Sequence, residues 1–114
     1  MLDNKELREV YCDSLLKLTE EGRDIVVIEA DLMKATGTGR YFKAYPERSF
    51  DVGIAEANMI GVAAGMSTYG KIPFCASFGA FSARRCYDQI FVSGAYSKQN
   101  IKVIGTDPGI SAEI

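Results

Sequence analysis

The chain has 114 residues, 47% of them hydrophobic and 25% charged, which is enough for one domain with a buried core, and its net charge of −2 lacks the basic excess of a nucleic-acid or anionic-membrane binder. It contains 0 histidines, which excludes Ser-His-Asp and Cys-His nucleophile systems, histidine zinc sites and histidine general bases. Any chemistry here must use carboxylates or a borrowed cofactor.

From Asp3 to Gly22, the apolar residues Leu7, Val10, Tyr11, Leu15 and Leu18 recur at three- and four-residue spacings, the stripe of an amphipathic helix. Asp3 and Glu6 have the spacing of a capping box, and Gly22 suits the left-handed residue that closes a helix. Ile25-Val26-Val27-Ile28 is an unbroken β-branched run without polar alternation, so it reads as a strand covered on both faces. The stretch from Asp31 to Arg48 has no single period and reads as a loop with some helix. Ser49 to Gly53 is a short strand, Ala55 to Tyr69 a helix closed by Gly70, and Phe74 to Ser77 a third strand opened by Pro73. One helix is expected from Phe81 to about Gln99, and a fourth strand over Ile101 to Thr106.

Strands alternating with helices predict an α/β fold: an open, mainly parallel sheet with helices on both faces. Ligands of such sheets bind at the carboxyl ends of the strands, here the segments after Ala30, Val52, Ser77 and Thr106. Cys12, Cys75 and Cys86 lie in apolar or helical runs without metal spacing and read as buried thiols of a cytoplasmic protein. Met1 to Glu6 is polar where a secretory leader needs a basic head and an apolar run, and no apolar segment approaches the roughly 18 residues of a membrane span. Asp107 to Ile114 reads as the start of another loop-and-helix unit, so the expectation is one domain, residues 1–114, truncated at its C-terminal end.

Gly37-Thr38-Gly39 follows a strand, but Phe42 stands where the dinucleotide fingerprint needs its third glycine. Asp51-Val52-Gly53-Ile54-Ala55-Glu56 is more informative, because it sets the Glu56 carboxylate in a first helical turn after a strand end. A plain structural role exists for it, since an acid there complements the helix dipole by about 0.3–1 kcal/mol. Phe78-Gly79-Ala80-Phe81 places two rings past another strand end, with small residues between them that let a planar heterocycle approach. Such rings are more often core.

The Asp51–Glu56 run, the Phe78-x-x-Phe81 pair leading into Tyr87-Asp88-Gln89, and Gly105-Thr106-Asp107 together resemble the pyrimidine-binding domain of the transketolase family of thiamine diphosphate enzymes, from roughly Arg23 onward. The separately encoded C-terminal half of a split transketolase is the nearest likeness. Deoxyxylulose-phosphate synthase, which shares the Asp-Val-Gly-Ile-Ala-Glu run, is a near neighbour, and the β subunits of 2-oxoacid dehydrogenases are more distant.

The resemblance implies a two-carbon ketol transfer between sugar phosphates, with Glu56 as the catalytic carboxyl group that bonds N1′ of the aminopyrimidine and promotes its imino tautomer. An apolar shelter from Ile54, Phe78 and Phe81 would suit that proton sharing. Phe81 corresponds to the ring that packs on the aminopyrimidine and Phe78 to a second wall. Asp31 corresponds to an aspartate near the thiazolium, and Asp107 to one that contacts a sugar hydroxyl, although Pro108 departs from the usual serine. Arg84 falls where synthases carry arginine and many transketolases tyrosine. The family holds the diphosphate and Mg²⁺ through a Gly-Asp-Gly sequence on another domain, and that sequence is absent here. The resemblance therefore implies a diphosphate-binding N-terminal partner subunit in a homodimer or heterotetramer, with the isolated chain inactive. The rivals are a deoxyxylulose-phosphate-synthase-like enzyme and a noncatalytic α/β interaction module.

Overall fold

The hydrophobic run after the first helix becomes β1 (Ile25–Glu29), all five residues of which are buried. In the computed structural model, which describes residues 4–110, β1 pairs in parallel with β2 (Ser49–Asp51) and with β3 (Ile72–Phe78), and β3 pairs in parallel with β4 (Lys102–Thr106). The strand order is β2-β1-β3-β4. Central placement explains the composition of β1, because a strand flanked by two others and covered on both faces has no solvent-facing row to fill with polar residues.

Alternate residues of β1 feed two cores. Ile25 and Val27 pack with Cys12 and Leu15 of α1 (Leu7–Glu20) and with Tyr41 of α3 (Gly39–Ala44). Ile28 packs on the other face with Met59, Ile60 and Ala63 of α4 (Glu56–Thr68), and with Cys75 and Cys86. Helices thus cover both faces, as expected from the sequence. The short helix α2 (Met33–Thr36), α3 and a 3₁₀ turn at Pro46–Arg48 account for the irregular stretch before β2. All three cysteines are free and buried.

Both long helices stop at a left-handed glycine. At Gly22 (φ 86°) the Arg23 N–H donates to Leu18 O at 3.0 Å, and at Gly70 (φ 83°) the Lys71 N–H donates to Met66 O at 3.3 Å, so carbonyls left over in the last turn find donors. At the start of α1 the cap is Glu6, whose N–H donates to Oε2 of Glu9 at 3.2 Å. The expected Asp3 of the capping box lies outside the described residues, as do Ser111 to Ile114 of the expected terminal unit.

Several sequence expectations are corrected. Leu7 (87% exposed) and Val10 (43%) leave the apolar stripe of α1, and Cys12 takes their place in the core. β3 begins at Ile72 and carries Pro73 inside it. Pairing with β4 starts only at Phe74, so the missing proline N–H falls where β3 has a neighbour on one side. The single helix expected over Phe81 to Gln99 is broken into α5 (Gly79–Arg84), α6 (Tyr87–Gln89) and a π-helical segment, Ile90–Tyr96. Cys86 leaves helical geometry at φ −127°, which separates α5 from α6. Further on, a Cβ on Gly94 would come within 2.8 Å of the end of the Ile101 side chain, so glycine lets this widened helix lie close to the chain leading into β4 without Ile101 having to shift.

Glu29 ends β1 with its side chain fully buried. Oε1 accepts hydrogen bonds from the hydroxyls of Thr36 (2.6 Å) and Thr38 (2.7 Å), whereas Oε2 has no partner in the structure. Burial pushes its pKa up from 4.5 to about 7, against the two threonine hydrogen bonds, and the charge of Asp51 adds to the rise. The folded state therefore holds this proton more tightly than the unfolded chain, so the contribution of Glu29 to stability is largest below pH 4.5 and declines as pH rises toward 7. Glu29→Gln should remove that decline. Urea unfolding at pH 5 and pH 8 should show the variant gaining about 2–3 kcal/mol on the wild type between the two conditions; parallel changes in both proteins would contradict the assignment.

Close backbone approach fixes α5 on the sheet. A Cβ on Gly105 of β4 would lie 2.9 Å from Gly79 Cα, at the first residue of α5. Gly105→Ala should destabilise the fold by about 1–3 kcal/mol and displace α5, measurable as a lower urea midpoint and altered chemical shifts across Gly79–Arg84.

Candidate functional site

Because all four strands run parallel, their carboxyl ends share one edge of the sheet, and the residues singled out from the sequence emerge there. Asp31 follows β1, Glu56 follows β2, Phe78 ends β3 and Asp107 follows β4. Asp51 ties the first two exits together, its Oδ1 accepting the N–H of Asp31 (3.0 Å) and of Gly53 (2.9 Å). Asp31 (φ 62°) and Asp107 (φ 50°) both adopt left-handed backbone, which an aspartate tolerates better than most residues. Both are exposed.

Glu56 is the first residue of α4 and is only 3% exposed. Its shelter differs from the apolar one expected. Ile54 is 74% exposed rather than part of a buried apolar wall. A cation meets the carboxylate instead: Arg85 donates from one guanidinium nitrogen to Oε1 at 3.2 Å. The same guanidinium lies over the Phe81 ring, its central carbon 3.8 Å from the ring centroid. Phe81 and Phe78 are neighbours, with centroids 5.7 Å apart and planes tilted by 51°. The structure thus brings Glu56, Phe81 and Phe78 into one cluster and adds Arg85 to it.

Arg85 escaped the sequence reading, which weighed Arg84 instead. The signal was present, because residues four apart on a helix share a face, and Phe81 and Arg85 have that spacing. Arg84 lines a recess of about 420 Å³ with Ala80, Phe81 and Arg85 and forms no bond to Glu56. Cys86, next in the chain, has its thiol pKa pushed up by burial and then by the Glu56 charge, so it is a poor nucleophile.

Asp107 stands apart. With Thr106, Pro108, Tyr11 and Ala35 it borders a recess of about 580 Å³ between β4 and the start of α1, whose lining includes neither Glu56 nor Phe81. Glu29 was also missed by the sequence reading, although a glutamate closing a run buried on both faces has little route to solvent. Among the described residues no helix is long and apolar enough to cross a membrane, and no three Cys, Asp or Glu side chains are grouped as metal ligands.

Comparison with known proteins gives a consistent result. The family model "Transketolase, pyrimidine binding domain" matches residues 3–114. The chain is 50% identical over 113 residues to the 6-deoxy-6-sulfo-D-fructose transketolase subunit SqwH of Clostridium sp. (strain MSTE9), covering 99% of this chain and 35% of the relative. It is 36% identical over 105 residues to the 1-deoxy-D-xylulose-5-phosphate synthase of Saccharopolyspora erythraea, covering 92% of this chain and 16% of that one. A solved split-gene transketolase, described as an inactive β4 tetramer, superposes with a TM-score of 0.77 at 49% identity, over 86% of this chain and 33% of that one. The chain thus spans about a third or less of the proteins it matches. A four-stranded parallel sheet with the Glu56–Phe81 cluster at its carboxyl edge, and a family match over nearly the whole length, place this chain in the transketolase pyrimidine-binding domain family.

Proposed function

We propose that this chain forms the pyrimidine-binding side of a thiamine diphosphate site in a split transketolase that moves a two-carbon ketol unit from a ketose phosphate to an aldose phosphate. The observation that carries the reading is the pairing of a buried Glu56 carboxylate with the Phe81 ring around a planar, nitrogen-bearing group. The two side chains already hold a guanidinium by one N–H bond and by ring stacking. An aminopyrimidine presents the same chemistry, a flat heterocycle with polar nitrogens at its edge, so the residues fit it.

In this reading Glu56 shares a proton with N1′, Phe81 stacks on the heterocycle and Phe78 closes one wall. Exclusion of water by the two rings strengthens the carboxyl interaction. Asp31, at the exit of β1, supplies negative charge toward the cationic thiazolium, and Asp107 accepts a hydroxyl of the donor sugar. Bound thiamine diphosphate supplies the carbon that carries the ketol unit between sugars. Its diphosphate and Mg²⁺ are assigned to an N-terminal partner subunit, and the lack of Gly-Asp-Gly in these 114 residues supports their being held elsewhere. Exposed Tyr87 (64%), Phe91 (58%), Val92 (55%) and Tyr96 (80%) along the helix–π segment support burial against another subunit, in a dimer or heterotetramer. Three buried free thiols fit the cytoplasm.

The test uses the two-subunit complex. Glu56→Gln should lower turnover by about 10²–10⁴-fold while moving the unfolding midpoint little; an unchanged rate would support a noncatalytic interaction module. Sugar-phosphate transfer without pyruvate consumption should identify the donor, whereas pyruvate decarboxylation would assign the synthase-like chemistry instead. Without its partner, the chain should show no ketol transfer in a coupled assay across ketose and aldose phosphates, and measurable turnover would place the diphosphate site on this chain after all.

A further inference from the structure

The geometry points to Arg85 as an internal stand-in for the aminopyrimidine, a latch that must leave before the cofactor's heterocycle can reach Glu56 and Phe81. This inference rests on the function proposed above and extends it to how the site is filled. Both contacts that the heterocycle needs are taken. The guanidinium stacks at 3.8 Å from the Phe81 centroid, and one of its N–H groups points at Glu56 Oε1 from 3.2 Å. A second flat group cannot stack on the same face of the ring while the first remains.

Three further observations fit a latch that opens. The Arg85 side chain is 48% exposed whereas that of Glu56 is 4% exposed, so the cation can withdraw to water and the carboxylate cannot. The recess of about 420 Å³ beside Phe81 gives the withdrawn guanidinium room. Arg85 also sits at the joint where α5 ends and Cys86 leaves helical geometry, so its side chain is not clamped by a continuing helix. A site whose competent form is only partly populated binds its ligand more weakly by that fraction. Removing the latch should therefore tighten the binding of anything that carries the heterocycle.

The experiment is a comparison of thiamine diphosphate and inorganic pyrophosphate binding by isothermal calorimetry to the two-subunit complex, with wild type, Arg85→Ala and Arg85→Gln. Both variants should bind thiamine diphosphate about five- to tenfold more tightly, with a faster association rate in stopped-flow. Pyrophosphate, which lacks the heterocycle, should bind all three alike. Equal gains for both ligands would reduce Arg85 to a general electrostatic influence and overturn the latch. So would unchanged or weaker thiamine diphosphate binding by the variants, since Arg85 would then be a bystander or a cofactor ligand. A wild-type complex that binds pyrophosphate but gains nothing from the heterocycle, in the variants too, would overturn the proposed function itself, and the latch with it.

Discussion

A carboxylate taken out of water at the edge of a sheet needs a counter-charge, and that requirement organises the site. Removing a charged side chain from solvent costs several kcal/mol even after the protein relaxes. A helix N-terminus returns only about 0.3–1 kcal/mol against that cost, and Glu56 is 3% exposed. Arg85 is the cation within reach, 3.2 Å from Glu56 Oε1. Its position, in turn, depends on α5 being drawn onto β4 through the Gly79–Gly105 approach, because α5 carries both the ring and the approach to the cation. The backbone contact, the stacked ring and the ion pair are links of one chain of dependence.

Glu29 meets the same difficulty differently. It too is a buried acid at the carboxyl edge, but its neighbours are hydroxyls rather than a cation, and Asp51 lies on the adjacent strand. With no positive partner the side chain moves toward its neutral form, and its pKa rises to about 7. Two threonines from the segment after β1 then close over Oε1 and hold that segment on the sheet. One acid thus fastens a loop and the other is kept available for exchange of partners, and the difference lies in what stands within hydrogen-bond reach.

Much of the architecture is legible in the sequence, and physical reasons separate what is from what is not. β1 is legible because full burial on both faces leaves an unbroken apolar run, and α1 and α4 because the closing glycines mark where they stop. The break between α5 and α6 is not, since no proline or glycine stands near it in the sequence while Cys86 departs from helical dihedrals. The same holds for Leu7 and Val10, whose spacing matches the stripe of α1 but which stay exposed, at 87% and 43%. At the site, the burial of Glu56 follows from its place in a first turn after a strand. The cation partner is not legible from residue type alone, because Arg84 and Arg85 are adjacent and a one-residue step along a helix turns a side chain by about 100°.

That rotation also decides which of the two arginines can act on Glu56 and which partner of the ion pair moves. Phe81 and Arg85 stand one turn apart on the same face, so the ring is the surface onto which the guanidinium folds back, whereas Arg84, which lines the same recess, forms no bond to Glu56. Displacing Glu56 would disturb the first turn of α4, and with it Met59 and Ile60, both fully buried in the core beneath the sheet. Displacing Arg85 moves only a half-exposed side chain, and the counter-charge it takes from Glu56 is what an incoming heterocycle must replace. The energetic asymmetry makes the carboxylate the fixed element and the arginine the movable one, which is the arrangement a site needs if an outside heterocycle is to replace an inside one without unfolding what holds it.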